Sequence, residues 1–450
     1  MMKVPAHLSL VVLLLLPLAT HAASLDQVMR KALRVDPRVP ASLALSTGEN
    51  ARAALDRAPL LPQLSATADY GETKQKIDSN FFPSVDESFT DSSVALELRQ
   101  SLFRWDMRSR WSRSDMREAR VLADEILRRE DFLLRVVDRY SAVLETQAGE
   151  AFARADLAAL LEEQASIDDR LEAGRATITD QRDTQARRAL AEAALLLAED
   201  DRRNAEDALR ELIGDPLPTL RALPETLPSF VAPVATLEAF IKTGRENAAR
   251  VQVARLDLAI AESLITSAIA EAAPRVDLVG RLSTDDSSES LGGQQRDASR
   301  IGVQLNVPIY AGGAALKGLT AARADRDRAA AAYDLTQRQA EQEAYSAWRA
   351  VDSAQRRLTA LAAAREAATL ALEATRDGFD IGRRTQLDVL EAQSANLRAE
   401  RDHTLARYAL LRALARREAA VSDLHFNDFP RFDQLFAGNA VDTVALPESE

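Results

Sequence analysis

Apolar and polar residues alternate with a period of two in four short stretches of this chain. Leu64, Ala66, Ala68 and Tyr70 alternate with Ser65, Thr67, Asp69 and Gly71. Val94, Leu96 and Leu98 flank Glu97 and Arg99. Farther on, Val276, Leu278 and Leu282 oppose Asp277, Arg281 and Ser283. Ile301, Val303, Leu305, Val307 and Ile309 alternate with Gly302, Gln304, Asn306 and Pro308. Such alternation predicts strands with one face in an apolar medium and the other in a polar one. The strands pair as two hairpins, about 64–102 and about 276–309, with polar connections at 72–91 and 284–299. Strands near ten residues match the ~9–11 that cross a bilayer at a tilt. A soluble hairpin packed on helices is the competing reading.

Between and around the hairpins the pattern is helical. From Arg104 to Leu171 there is one glycine, Gly149, and no proline. An unbroken helix of that length reaches ~100 Å, far beyond what a globular domain needs. Its counterpart runs from about 316 to 376. Ala344, Val351 and Leu358 recur every seven residues, as do Ala340, Ala347, Ala354, Leu361 and Ala368. In the earlier helix Val137, Leu144, Ala151, Ala158 and Ala165 do the same. Alanine-rich heptads let helices approach closely along a narrow seam. Residues 25–58 and 237–272 read as two further helices, each closed by a proline.

The two halves are copies. Leu25 and Leu237, and Pro62 and Pro274, are each 212 positions apart. Gly174 and Gly382, Thr177 and Thr385, Asp180 and Asp388, and Asp183 and Glu391 are each 208 apart. A slowly drifting offset over half the chain is a tandem duplication. The predicted organisation is a signal peptide at 1–22 and a first repeat at 23–215 with its long helix at about 104–172 and return helix at about 180–213. A proline-rich linker follows at 216–236. The second repeat spans 237–424, with its return helix at about 386–422, and a tail occupies 425–450, its last dozen residues poorly ordered. Each long helix ends at a tip where glycine stops it, and Thr-x-x-Asp caps the next helix.

Composition narrows the function. Lys3, the apolar run from Leu8 to Leu18 and the small residues to Ala23 form a secretory signal, so the mature chain is exported. The absence of cysteine excludes disulfides, thiol catalysis and a lipoprotein anchor. Only His403 and His425 remain after the signal, too few for imidazole chemistry, and no metal cluster, phosphate loop or nucleophile supports an enzyme or a cofactor. A net charge of −12 argues against nucleic acid. Four membrane-length strands leave open edges, which hydrocarbon does not tolerate, so copies of the chain must close the barrel. Three copies give twelve strands; two give eight, an interior filled by side chains.

At the tips, Arg384, Asp388 and Glu391 share a helix face, and Asp180 and Asp183 share the matching one. Gathered by assembly, these carboxylates would form an acidic entrance that favours cations, with some pKa values raised by crowding. Capping alone equally accounts for Asp180 and Asp388, and a solvated helix face for Asp183 and Glu391. Phe103, Trp105 and Tyr310 follow the hairpins and mark a membrane interface or core packing. Gly312-Gly313 bends strand into helix.

The duplicated order helix, hairpin, long helix, tip and return helix resembles the TolC family of outer-membrane efflux proteins. So do the strings Val303-Gln304-Leu305-Asn306-Val307-Pro308-Ile309-Tyr310-Ala311-Gly312-Gly313 and Ile381-Gly382-Arg383-Arg384-Thr385-Gln386-Leu387-Asp388-Val389-Leu390. The resemblance covers roughly 25–424. It implies a mainly α fold with membrane β-hairpins, assembled as a homotrimer in the outer membrane of a Gram-negative bacterium. A twelve-stranded β-barrel would continue there into a twelve-helix periplasmic α-barrel. It also implies passive conduction of substrates for efflux or type I secretion, with a periplasmic adaptor and an inner-membrane transporter as partners. By resemblance, Phe379 and Arg384 help tie the closed entrance, Thr179 and Asp180 match their partners, and Asp169 offers Arg384 another acid. The rim of Gly174, Arg175, Gly382 and Arg383 is then the adaptor's docking surface. The best-known sequence of the family has tyrosine where this chain has Phe379, so hydroxyl bonding is lost there. A soluble periplasmic coiled-coil adaptor is the alternative function.

Overall fold

Asp36 stands before Pro37, a position from which the proline ring excludes the helical conformation. In the computed structural model, which describes residues 22–77, 85–224, 236–288 and 294–437, the first predicted helix accordingly breaks there. It becomes α1 (Leu25–Val35) and α2 (Arg38–Ala54), with Asp36 extended between them. The helix predicted at 237–272 also splits, into α5 (Leu237–Asn247) and α6 (Ala249–Ala270), around an extended Ala248. No proline marks this break. Its cause is tertiary: Ser422, itself at positive φ, accepts the Ala249 N–H at 2.9 Å and so caps α6 from the far end of the chain. Most of the predicted signal segment, much of the proline-rich linker and the last residues of the tail lie outside the described residues.

The strands are longer than alternation predicts. β1 (Gln63–Ile77), β2 (Val85–Phe103), β3 (Arg275–Ser287) and β4 (Gln294–Asn306) absorb most of the polar stretches assigned to connections, and β4 stops three residues short of Ile309. Antiparallel hydrogen bonding continues where alternation fades, because the backbone ladder needs no apolar side chain. The two hairpins are also one sheet, in the order β1-β2-β3-β4, with β2 paired to β3. Leu64 lies opposite Leu98, Leu96 opposite Leu282, and Leu278 opposite Val303, so the apolar positions of all four strands share one face. That face is bare: Val303 is 65% and Ile301 79% exposed. β1 and β4 are open edges within the chain.

Below the sheet run α3 (Met107–Glu172), α4 (Ile178–Ile213), α7 (Ala314–Asp380) and α8 (Gln386–Ala420). α3 packs on α4 and α8, and α8 on α7, leaving outward flanks on α4 and α7. Ala340, Ala344, Ala347 and Val351 are buried as their heptad requires. The heptad of α3 holds only at Val137 and Leu144; Ala151, Ala158 and Ala165 are exposed, and Ala153, Ala159 and Ile167 take their place. An α-helix drifts ~20° per heptad against a strict seven-residue column, and here the column leaves the contact face. The main core sits midway, where Tyr140, Val136 and Leu133 of α3 meet Leu411, Leu414 and Tyr408 of α8, and Met29 of α1. The tail contributes unexpectedly. α9 (Phe429–Ala437) buries Phe429 and Phe432 in this core, and the Asp433 carboxylate accepts the Ser24 hydroxyl at 2.6 Å at the start of α1.

Glu130 lies beside this core, only 4% exposed. One carboxylate oxygen accepts the Ser422 hydroxyl at 3.2 Å, and the other has no hydrogen-bond partner among the described residues. Burial pushes its pKa up to about 7, against the pull of Ser422, Arg129 and Arg250. A carboxyl raised from an unfolded value of 4.5 stabilises the fold below that pH, and its contribution disappears as pH rises through about 7. Glu130→Gln should therefore abolish a loss of about 3 kcal/mol between pH 4.5 and 7.5. Thermal unfolding of the purified protein across that range checks this; equal pH slopes for both proteins would contradict it.

Candidate functional site at the helix tips

Both tips are built alike. Gly174 and Gly382 adopt φ of 68° and 73°, where a Cβ would be strained, and so end α3 and α7. The Arg175 N–H reaches the Arg170 carbonyl at 2.7 Å, and the Arg383 N–H reaches that of Gly378 at 2.8 Å, closing the final helical carbonyls in the same six-to-one bond. Thr177 and Thr385 then cap α4 and α8. The Asp180 carboxylate accepts the Thr177 N–H at 2.9 Å and its hydroxyl at 2.8 Å; Asp388 does the same with Thr385 at 2.7 and 2.9 Å. These bonds, the backbone donor first, hold both carboxyls below the usual carboxylate range. Within one chain two local donors favour the ionised form of this pair.

The second pair of acids behaves differently. Asp183 ion-pairs with Arg187 on its own helix at 2.9 Å. Glu391 borders a cleft of about 660 Å³ between α4 and α8, floored by α3, which Arg187, Arg398 and Arg401 also enter. Within one chain the four acids are therefore separately satisfied or solvated rather than massed.

Within one chain the residues expected to form the latch are apart. Arg384 makes its ion pair with Asp388, at 4.0 Å, while Asp169 and Thr179 stand exposed. The Arg384 stem lies across Gly378, where a Cβ would come within 2.8 Å of Cγ, so the absence of a side chain at 378 seats this arginine. Phe379 carries the contact between the two tips: the Arg170 guanidinium lies over its ring, 5.8 Å from the centroid. A phenyl ring suffices there, because the cation meets the π-face and needs no hydroxyl. Arg170 and Gly378 are the residues that sequence reasoning missed. Their signal was the repeat itself, since they occupy equivalent positions 208 apart and differ completely. Deeper in, burial raises the pKa of Glu163 of α3, against the opposing influence of Gln386 at the start of α8 and Arg170, and Gln181 donates to Asp168 at 2.7 Å.

At the other end of the long helices, Phe103, Trp105 and Tyr310 are all exposed, Tyr310 to 86%. Core packing within the chain is excluded for them. Gly312 and Gly313 both take positive φ and turn the chain from β4 into α7. No helix among the described residues is long and apolar enough to cross a membrane.

The sequence profile of the outer membrane efflux protein family matches residues 28–215 and 241–421, one segment for each repeat. The chain belongs to that family. It is 28% identical over 419 residues to the outer membrane protein TolC of Vibrio cholerae, covering 91% of this chain and 93% of that protein. It is also 28% identical over 421 residues to the proteases secretion protein PrtF of Dickeya chrysanthemi, covering 92% and 91%. Among solved structures, the CmeC outer membrane channel of Campylobacter jejuni superposes with a TM-score of 0.78 at 17% identity, over 93% of this chain and 90% of that one. The fold is that of these channels. Family membership makes the protein an outer-membrane channel-tunnel of the efflux and type I secretion class, neither an enzyme nor a soluble adaptor. It sits in the outer membrane of a Gram-negative bacterium.

Proposed function

We propose that three copies close into one tube, a twelve-stranded barrel in outer-membrane lipid continued by twelve helices in the periplasm. The observation that carries this reading is a membrane-length sheet with its apolar face bare and both edges open. In lipid such edges must pair, and β1 of one copy has the β4 edge of another available. The uncovered flanks of α4 and α7, with Leu190, Leu197, Leu335 and Leu370 exposed, call for the same closure in the helical part. Eight strands from two copies would leave no conducting lumen.

In this assembly the tips form the periplasmic entrance. Gly174, Arg175, Gly382 and Arg383 make the rim on which a periplasmic adaptor docks, linking the tube to an inner-membrane transporter that supplies the energy. Asp180, Asp183, Asp388 and Glu391 charge the opening, and the caps keep the first of each pair ionised. Arg384, Phe379, Asp169, Thr179 and Asp180 hold it closed at rest across neighbouring helix pairs. The tube conducts passively. Arg384→Ala is expected to raise single-channel conductance in planar bilayers; unchanged conductance would count against the latch.

A further inference from the structure

The polar face of the sheet carries a feature that family membership does not explain. Arg281 of β3 and Arg300 of β4 are directly opposite in the register, and both are exposed. Like charges directly across a ladder destabilise a sheet, because their Cβ atoms stand only ~5 Å apart. Neutralisation is near at hand but not used. Glu97 of β2 lies opposite Arg281 on the other side, yet its ion pair is with Arg99 on its own strand, at 3.1 Å. Among the described residues neither Arg281 nor Arg300 takes part in an ion pair. The row below offers only Val279 and Gly302, and the row above Ser283 and Ala298. At Gly302 an added Cβ would meet no heavy atom within 4 Å, so the space beside Arg300 is open. Three arginines thus face one glutamate within two rows of a chain whose net charge is −12.

We propose that Arg281 and Arg300 form a positive band in the lumen of the barrel that binds small oxyanionic solutes and favours the passage of anions. The assignment rests on the duct reading, in which the apolar face meets lipid and the polar face lines the lumen. Each chain adds two unpaired guanidinium groups at one depth, and assembly repeats them around the wall. Guanidinium forks match carboxylate and phosphate oxygens in pairs, and rings of arginine line anion- and phosphate-conducting pores. The band lies on the sheet, at the far end of the long helices from the tips, and its positive charge is local to the rows that hold Arg281 and Arg300.

The test uses the mature wild-type trimer and R281Q/R300Q in planar bilayers under a potassium chloride gradient, with inorganic pyrophosphate added afterwards. The chloride-to-potassium permeability ratio should fall by about twofold or more in the double variant. Pyrophosphate should reduce the wild-type current and leave the variant unaffected, and R281K/R300K should keep the wild-type selectivity. Equal reversal potentials and equal pyrophosphate responses in wild type and R281Q/R300Q would overturn the band while leaving the duct intact. A wild-type trimer that carries no current would instead overturn the duct itself.

Discussion

Val303→Arg should all but remove this protein from the outer membrane. Val303 lies near the middle of the apolar stretch of β4, opposite Leu278, with its side chain on the bare face. An arginine on the lipid face near the bilayer midplane costs ~2–4 kcal/mol. In the proposed three-copy assembly that cost is incurred three times, and β4 is an edge that must also find its neighbour. The adjacent residue supplies the control. Gln304 points to the polar face, opposite Asp277, so Gln304→Arg places the same charge where water and a carboxylate receive it. Quantifying both variants in isolated outer membranes should show at least about a tenfold loss for Val303→Arg. Gln304→Arg should match wild type. Equal membrane levels for the two would mean that the bare face does not meet lipid.

Phe379→Ala should loosen the entrance, and Arg170→Ala should do so to a similar degree. The Arg170–Phe379 contact joins the end of α3 to the end of α7, and so couples the two repeats at the tips. A cation over an aromatic face contributes ~0.5–2 kcal/mol according to its exposure, enough to shift an open-to-closed ratio about twofold to thirtyfold per contact. Single-channel recordings should show higher mean conductance for each variant. Combining the two should add little, because each removes the same contact. Phe379→Tyr should behave as wild type, since the π-face is retained. Wild-type conductance in Phe379→Ala would place the closing interaction elsewhere.

The parts of this architecture legible in the sequence were those written in local periodicity. Alternation at Ile301, Val303 and Leu305 identified strand and apolar face together, and Thr177-x-x-Asp180 with its copy at Thr385 located both caps. What stayed hidden depends on residues distant in the chain. The α5–α6 break at Ala248 follows from Ser422, 173 residues... away from the Ala249 N–H it accepts. The tail helix α9 is held by the α1 start through Asp433 and by core partners of Phe429 and Phe432. Strand extension beyond the apolar band is a backbone property, and alternation is blind to it. At the tips the Thr-x-x-Asp spacing already set Asp180 and Asp388 apart from Asp183 and Glu391, and the structure adds that the threonine donors lower the pKa values of the first two. Gly378 matters through a residue six positions on: its lack of a Cβ is what lets Arg384 lie across the helix end, and no local pattern marks that contact.

Native mass measurement of the protein extracted from outer membranes in mild detergent tests the central claim most directly. A closed tube built from open four-stranded sheets predicts a particle of three chains that stays intact on dilution. A monomer recovered from the soluble fraction without detergent, its sheet edges unpaired, would contradict it.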